Sequence, residues 1–319
     1  MIETPQGSAA PFDRSAVRHH RDRAATGFDA HAFLFEEIGR RLVERLADIQ
    51  RPFRRVLELG CRDGRLFPLM DGRYGEDLFV RTDLSDRMVR AAVLRDPRPF
   101  SVAADEEALP FADGSFDLVI GNLSLHWVND LPGALTQISR TLKPDGLFLA
   151  SLFGGETLAE LRAAFLAADV AVSDGASPRV SPFCDVRDAA HLLSRAGLAL
   201  PVADVDRIAV TYSDLPALMR ELRGMGESNA LALRRRAATR RETIAHASAI
   251  YAREFQATEE ARSARIQATF EVIYLAGWRP HASQQKPLRP GSAAARLAEA
   301  LGSHEEPAGD VTDPGRRRH

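Results

Sequence analysis

The sequence has two cysteines, Cys61 and Cys184, two tryptophans and almost no lysine, with only Lys143 and Lys286. Two thiols can build neither a disulfide framework nor a cysteine-based zinc site. No apolar run reaches the length of about 18 residues that a membrane-spanning helix needs. Charge of one sign is missing too: 42 basic and 44 acidic residues leave a formal charge of -2. That balance excludes a nucleic-acid binder that works through bulk positive charge. There is no internal repeat. The stretch Met1–Asp13 has neither the layout of a secretory signal nor the Arg-rich, acid-poor layout of a mitochondrial presequence, so a cytoplasmic setting is expected. What remains is 319 residues, 45% apolar and 27% charged, the composition of an ordinary globular protein.

Residues 1–11 are polar and read as loose. Leu34, Ile38, Leu42 and Leu46 recur every four residues and predict an amphipathic helix from Asp29 to Ile49. Five short apolar runs follow, Arg55–Leu59, Leu78–Asp83, Phe100–Asp105, Phe116–Asn122 and Gly146–Phe153, with helical stretches between them. Ser85 is placed to cap one helix, and another runs from Leu131 to Leu142 into the turn Lys143-Pro144-Asp145-Gly146. Thr157 with Glu160 has the spacing of a capping box. Strands alternating with helices predict an α/β fold, a mostly parallel sheet covered on both faces. Val205–Tyr212 and Ile266–Tyr274 alternate with period two and predict an antiparallel pair that brings the sheet to seven strands. The residues between them, 214–256, read as a helical insertion. The expected division is an N-terminal segment and helix (1–50), the sheet domain (51–291) and a disordered tail (292–319).

Val56 to Gly64 is the most informative stretch. A buried strand carrying Glu58 runs into a turn bounded by Gly60 and Gly64 that opens a helix. Glycine permits close backbone approach, and the helix start presents free N–H groups. Asp83 ends the second strand, where an acid can take both hydroxyls of a ribose. Asp105 ends the third and can hold an adenine amino group. Any one of these acids can be an ordinary strand-end residue, but three in register point to a nucleoside. A Walker-type phosphate loop is excluded, because no Lys–Ser/Thr pair follows the glycines. A dinucleotide site would call for a fuller Gly-x-Gly-x-x-Gly, which is missing.

These residues resemble the class I S-adenosylmethionine-dependent methyltransferases, together with Ala104-Asp105, Phe116-Asp117-Leu118-Val119 and Leu142-Lys143-Pro144-Asp145-Gly146. The resemblance implies a Rossmann-like sheet that binds S-adenosylmethionine through Glu58, Gly60, Gly64, Asp83 and Asp105. Where that family usually has a glycine, this chain has Arg62, a side chain that can meet the cofactor carboxylate or Asp63. A narrower resemblance is carried by Ala104 to Glu107, Leu123 to Leu131, Phe153 to Leu158, Gly224 to Asn229 and Gly277-Trp278. These are similar to the mitochondrial complex I assembly factor 5 family of arginine hydroxylases, over about Phe12 to Ala293. A bacterial relative is implied, with a quinone-site subunit of respiratory complex I as its protein partner.

Asn122, His126 and Trp127 lie where strand four faces the reacting edge. Asn122 can orient a substrate donor, His126 accept a proton, and Trp127 lay a ring face on a cation; the last two can equally serve to close the pocket. Within Gly224 to Asn229, Glu227 and Asn229 are candidate substrate-binding residues, Glu227 as a carboxylate for a guanidinium. His20-Arg21-Asp22 has the spacing of an iron ligand pair but lies in a charged stretch, His19 to Arg23, that reads as a solvated face, so no metal site is expected. Arg234 to Arg241 reads as a solvated helix face that can also meet an acidic partner or the inner membrane surface peripherally. Two other functions remain open: an O-methyltransferase of a small molecule or carrier-bound acyl group, as in biotin synthesis, and a non-enzymatic assembly chaperone.

Overall fold

Val56, Leu57 and Leu59 have no polar face, and the reason is their place at the centre of the sheet. The computed structural model describes residues 10–70, 72–172, 175–257, 265–285 and 302. It sets β1 (Arg55–Leu59) between β2 (Leu78–Asp83) and β4 (Phe116–Asn122), all parallel. A strand flanked and covered on both faces reads as a continuous apolar run. The full order is β3-β2-β1-β4-β5-β7-β6. Here β3 is Phe100–Ala103, β5 Leu142–Phe153, β6 Ala199–Tyr212 and β7 Ile266–Trp278. Only β7 runs against its neighbours, pairing antiparallel with β5 and β6. The chain is thus the seven-stranded, mostly parallel α/β sheet that its sequence predicts.

Period-two alternation divides the apolar residues between two cores. Leu118, Ile120, Leu147, Leu149 and Val272 face one, shared with α2 (Phe33–Ala47), α6 (Ala159–Val172), α8 (Leu215–Gly224) and α9 (Arg241–Glu254). Val119, Phe148, Ala150 and Ile273 face the other, shared with α5 (Leu131–Thr141) and α7 (Val186–Arg195). The Leu34, Ile38, Leu42, Leu46 stripe of α2 is fully buried, worth about 1.5–3 kcal/mol per side chain against exposure. Its helix begins later than the spacing predicts, because Phe28–His31 forms a separate 3-10 turn. Of three shorter helices, α1 (Arg14–Ala24) lies against the acids Asp83 and Glu106, whereas α3 (Leu66–Leu69) and α4 (Asp86–Arg95) follow β1 and β2 and pack Leu66 and Met88 into the first core. Ser85 caps α4 as expected, accepting from the amide of Met88 at 3.1 Å.

Three local expectations are corrected. Thr157 and Glu160 do not form a capping box: Thr157 Oγ1 exchanges hydrogen bonds with the Glu271 backbone, and Glu160 accepts from Thr269. A neighbouring strand supplied better partners than the local helix end. The insertion 214–256 is not helical throughout: α8 and α9 are separated by an irregular segment, 225–240. Arg234, Arg235 and Arg236 therefore sit on a loop, and only Arg241 opens a helix. Residues up to 282 belong to one unit. The tail expected at 292–319 lies outside the described residues apart from Gly302, and residues 1–9 lie outside them as well. Phe12, which directly follows the residues read as loose, is buried against Trp127 with ring centroids 5.3 Å apart. Among the described residues no helix is long and apolar enough to cross a membrane.

Candidate functional site

The strand order reverses between β1 and β4, and open α/β sheets bind ligands at the carboxyl ends flanking such a point. After β1 the chain turns at Gly60 with φ +64°, where an added Cβ would fall 2.2 Å from Ser124 Cβ. Glycine is required there by the crossing of two loops. Arg62 follows at φ 51°, a left-handed conformation that costs a non-glycine residue about 1–2 kcal/mol. Three contacts offset that cost. Its amide donates to Asp83 Oδ2 at 3.1 Å, and its buried guanidinium donates to Leu123 O at 3.3 Å and to Glu227 Oε1 at 2.5 Å.

Glu227 is the hub of one half of the site. Its other oxygen, Oε2, accepts from the Trp127 indole at 2.7 Å and lies 3.1 Å from His126 Nε2. Burial pushes this carboxyl up, but Arg62 and His126 outweigh it and hold it at about 2. Burial also lowers the pKa of His126. A neutral imidazole beside a carboxylate places its proton on Nε2, so Nδ1 keeps a lone pair, and that atom is buried without a partner. Phe153 and Phe183 enclose the ring, with centroids at 4.8 and 5.5 Å. Phe35 lies under the Arg62 guanidinium at 5.2 Å.

The other half is an arginine–acid array laid down by α1. Arg21 is fully buried and donates through Nη1 to Asp83 Oδ1 at 3.3 Å and Glu106 Oε1 at 3.2 Å. Arg14 reaches Glu106 Oε2 at 2.6 Å and also bonds Asp105 Oδ1. Burial raises the pKa of Glu106, but Arg21 and Arg14 overcome it and bring it to about 2. Asp83 Oδ1 takes a further bond from the amide of Ser85 at 2.8 Å. Helix α1 is fixed in place by the Asp13 cap, by Asp22 accepting from Ser85 Oγ at 2.5 Å, and by His20 on Ser228 O at 3.1 Å.

The structure thus brings Glu58, Gly60, Asp83, Asp105, His126, Trp127 and Glu227 to one crevice. Gly64 stands behind it, packed on Arg81 and Ala92. Asn122 is tied into the scaffold, donating to Phe35 O at 2.8 Å and accepting from Ser151 Oγ at 2.9 Å. Asn229 secures a turn through Pro178 O and the amide of Leu231. Arg62 does not meet Asp63, which is held by Arg65 and Arg95 instead. The solvated-face reading of His19 to Arg23 is overturned by the burial of Arg21. Its signal was present, since Arg14, Val17, Arg21 and Ala24 are spaced three and four apart and share one face. Glu106 was also missed, hidden beside the more conspicuous Asp105. Among the described residues no group of His, Cys, Asp and Glu could hold a metal ion.

Glu58 bears on whether S-adenosylmethionine fits. Its Oε2 is buried with no partner, and burial pushes the carboxyl up to about 8. Arg81 lowers it but does not offset burial, and an amino-acid ammonium would supply the bonded cation that Oε2 lacks. Donor chemistry therefore fits the cofactor at Glu58, Asp83 and Asp105. The space beside Glu58, Gly60 and Arg62 is only about 10 Å³, however. The Arg21 and Arg14 side chains hold Asp83 and Asp105, two of the acids that the cofactor would use, and the Arg62 side chain lines the narrow space beside Glu58.

Comparison with known proteins agrees with this construction. A methyltransferase-domain family model matches residues 57–150. The arginine-hydroxylase NDUFAF5, mitochondrial, of Danio rerio is 40% identical over 290 residues, covering 90% of this chain and 88% of that protein. A malonyl-[acyl-carrier protein] O-methyltransferase of Laribacter hongkongensis is 38% identical over 292 residues, 88% of this chain and 94% of that protein. Among solved structures, phosphoethanolamine N-methyltransferase 2 of Haemonchus contortus, in complex with S-adenosyl-L-methionine, superposes with a TM-score of 0.52. It is 16% identical, with 87% of this chain and 62% of that chain covered, and shares the fold.

Proposed function

The chain belongs to the class I S-adenosylmethionine-dependent methyltransferases, close to the mitochondrial arginine hydroxylases, and on that premise we propose that it modifies an arginine of a protein partner. The partner is a quinone-site subunit of respiratory complex I, and the modification is hydroxylation. One observation carries this reading: Glu227 is a buried carboxylate that already receives a guanidinium, that of Arg62. The pocket around it supplies what such a group needs, an opposing charge, an aromatic ring and exclusion of water. Arg62 occupies the place of the partner's arginine.

The cofactor, when bound, supplies a sulfonium-activated methyl group at this edge. Glu58 would take its ammonium, Asp83 its ribose hydroxyls and Asp105 its adenine amino group. Glu227 fixes the guanidinium of the partner, the Trp127 indole fixes Glu227, and His126 keeps an unpartnered Nδ1 that can accept a proton if the reaction is methyl transfer. Hydroxylation places one atom of dioxygen on the arginine. The other leaves as water at the expense of two protons and a two-electron donor of the reduced flavin or nicotinamide class, and the cofactor's methyl group takes no part in this step.

The test is the intact mass of the quinone-site subunit from a deletion strain. The reading expects it lighter than wild type by one oxygen atom. A difference of one methylene would assign methylation instead, and an unchanged mass would overturn enzymatic modification.

A further inference from the structure

Beyond Trp127 and Glu227 the site opens into a cavity of about 600 Å³ that the mechanism above does not use. Leu161, Phe165, Val180, Met219 and Leu222 form its apolar wall. Its lining also includes Arg179, Arg223, Arg234, Arg235 and Arg236, against one carboxylate among the described lining residues, Glu227. Two of these arginines are neutralised, Arg179 by Asp169 and Arg234 by Asp13. Arg223, Arg235 and Arg236 are exposed and make no ion pair among the described residues. Ser181 Oγ is buried in the same lining without a hydrogen-bond partner.

This electrostatic arrangement is at odds with a bare arginine as ligand. A guanidinium approaching Glu227 meets three guanidiniums that have no ion-pair partner among the described residues, and Glu227 offers it a charge that is already shared. Like charges at an entrance slow association and select against a partner unless opposite charges travel with it. We propose that the cavity receives the residues flanking the target arginine, and that these are acidic side chains next to an apolar one. The chain then selects an arginine within an acidic, apolar-flanked stretch of polypeptide. Apolar side chains fill the wall at Phe165, Val180 and Met219. Carboxylates pair with Arg223, Arg235 and Arg236, and a backbone or side-chain polar group meets Ser181 Oγ. This rests on the arginine-modifying reading and adds the sequence context that the site demands.

The probes are fluorescein-labelled synthetic peptides that carry one arginine flanked by leucine and aspartate. Two comparison peptides replace aspartate by asparagine, or arginine by glutamine. Binding to the full chain is measured by fluorescence anisotropy, in wild type and in the Arg62→Gly variant, which vacates Glu227. The aspartate peptide is expected to bind about tenfold more tightly than the asparagine peptide, a difference of about 1.4 kcal/mol. In the doubly substituted Arg235→Glu, Arg236→Glu chain that preference should vanish or reverse. Both positions are exposed loop residues, and circular dichroism checks that the fold is kept. Equal binding of the aspartate and asparagine peptides, or no binding of either in both backgrounds, overturns the proposal. If the glutamine peptide binds as well as the arginine peptide while the aspartate preference persists, acid recognition stands and the arginine reading falls. If the double substitution abolishes binding to phosphatidylglycerol vesicles and leaves peptide preference intact, the loop is a membrane contact and the proposal is wrong.

Discussion

Arg62 and Glu227 lie 165 positions apart in the chain and meet at 2.5 Å inside the crevice, each almost wholly buried. One comes from the turn after the first strand and the other from the segment between the last two strands. The pair joins the cofactor half of the site to the substrate half, and it holds both closed.

Removing Arg62 should open the site. Arg62→Gly relieves a left-handed backbone cost of about 1–2 kcal/mol. It also leaves the Glu227 carboxylate with only His126 and Trp127. Calorimetry with S-adenosylhomocysteine is expected to show the glycine variant binding about tenfold more tightly than wild type, because the Arg62 side chain no longer fills the space beside Glu58 and Gly60. Equal or weaker binding would show that Arg62 assists the cofactor.

Asp83 has a structural duty as well as a binding one. It accepts from Arg21, from Ser85 and from the amide of Arg62. Asp83→Ala leaves the fully buried Arg21 facing Glu106 alone, and losing one charged hydrogen-bond partner costs about 1.5–3 kcal/mol. Urea denaturation should show that loss in the chain without cofactor. A stability within experimental error of wild type would mean that α1 does not rest on Asp83.

Stability should depend on pH in two opposing windows. Glu227 and Glu106 titrate at about 2 in the folded chain against an ordinary 4.5. The unfolded chain binds more protons between these values, so their contribution is full above 4.5 and is lost as pH falls through about 2. Glu58 runs the other way. Burial raises it from 4.5 to about 8, so its contribution is full below 4.5 and is lost as pH rises towards 8. Urea midpoints should climb from pH 2 to 4.5 and decline above it, and Glu58→Gln should flatten the decline. An identical slope in that variant would rule out Glu58 as its source.

The central sheet was legible because each core strand carries its own apolar pattern, and so were the acids at the ends of β1 and β2. Side-chain partners across the crevice were not. Nothing local to Arg62 names Glu227 as its partner, since that choice depends on where the segment after α8 comes to rest. Arg21 was passed over because its immediate neighbours, His19, His20, Asp22 and Arg23, are all polar. Its buried face appears only when Arg14, Val17 and Ala24 are counted at helical spacing. The Thr157–Glu160 pattern failed for a related reason. A local motif loses when a strand from 114 residues away presents a backbone to bond.

Trp127 should matter through one hydrogen bond. Trp127→Phe keeps an aromatic ring against Phe12 and removes the indole donor to Glu227 Oε2. Bonds to charged groups contribute about 1.5–3 kcal/mol, and thermal unfolding should report a loss in that range. A loss no larger than that of an exposed aromatic substitution would remove Trp127 from the set of groups that hold Glu227.

The most direct test of the account is the modification state of the complex I quinone-site subunit in a deletion strain complemented with Glu227→Gln. Tandem mass spectrometry reads the arginine, while calorimetry on the purified variant checks that S-adenosylhomocysteine still binds. If Glu227 receives the partner's guanidinium, the oxygen atom restored by the wild-type gene is absent with the glutamine variant, although cofactor binding is retained. An arginine modified to the wild-type extent by Glu227→Gln would contradict the account.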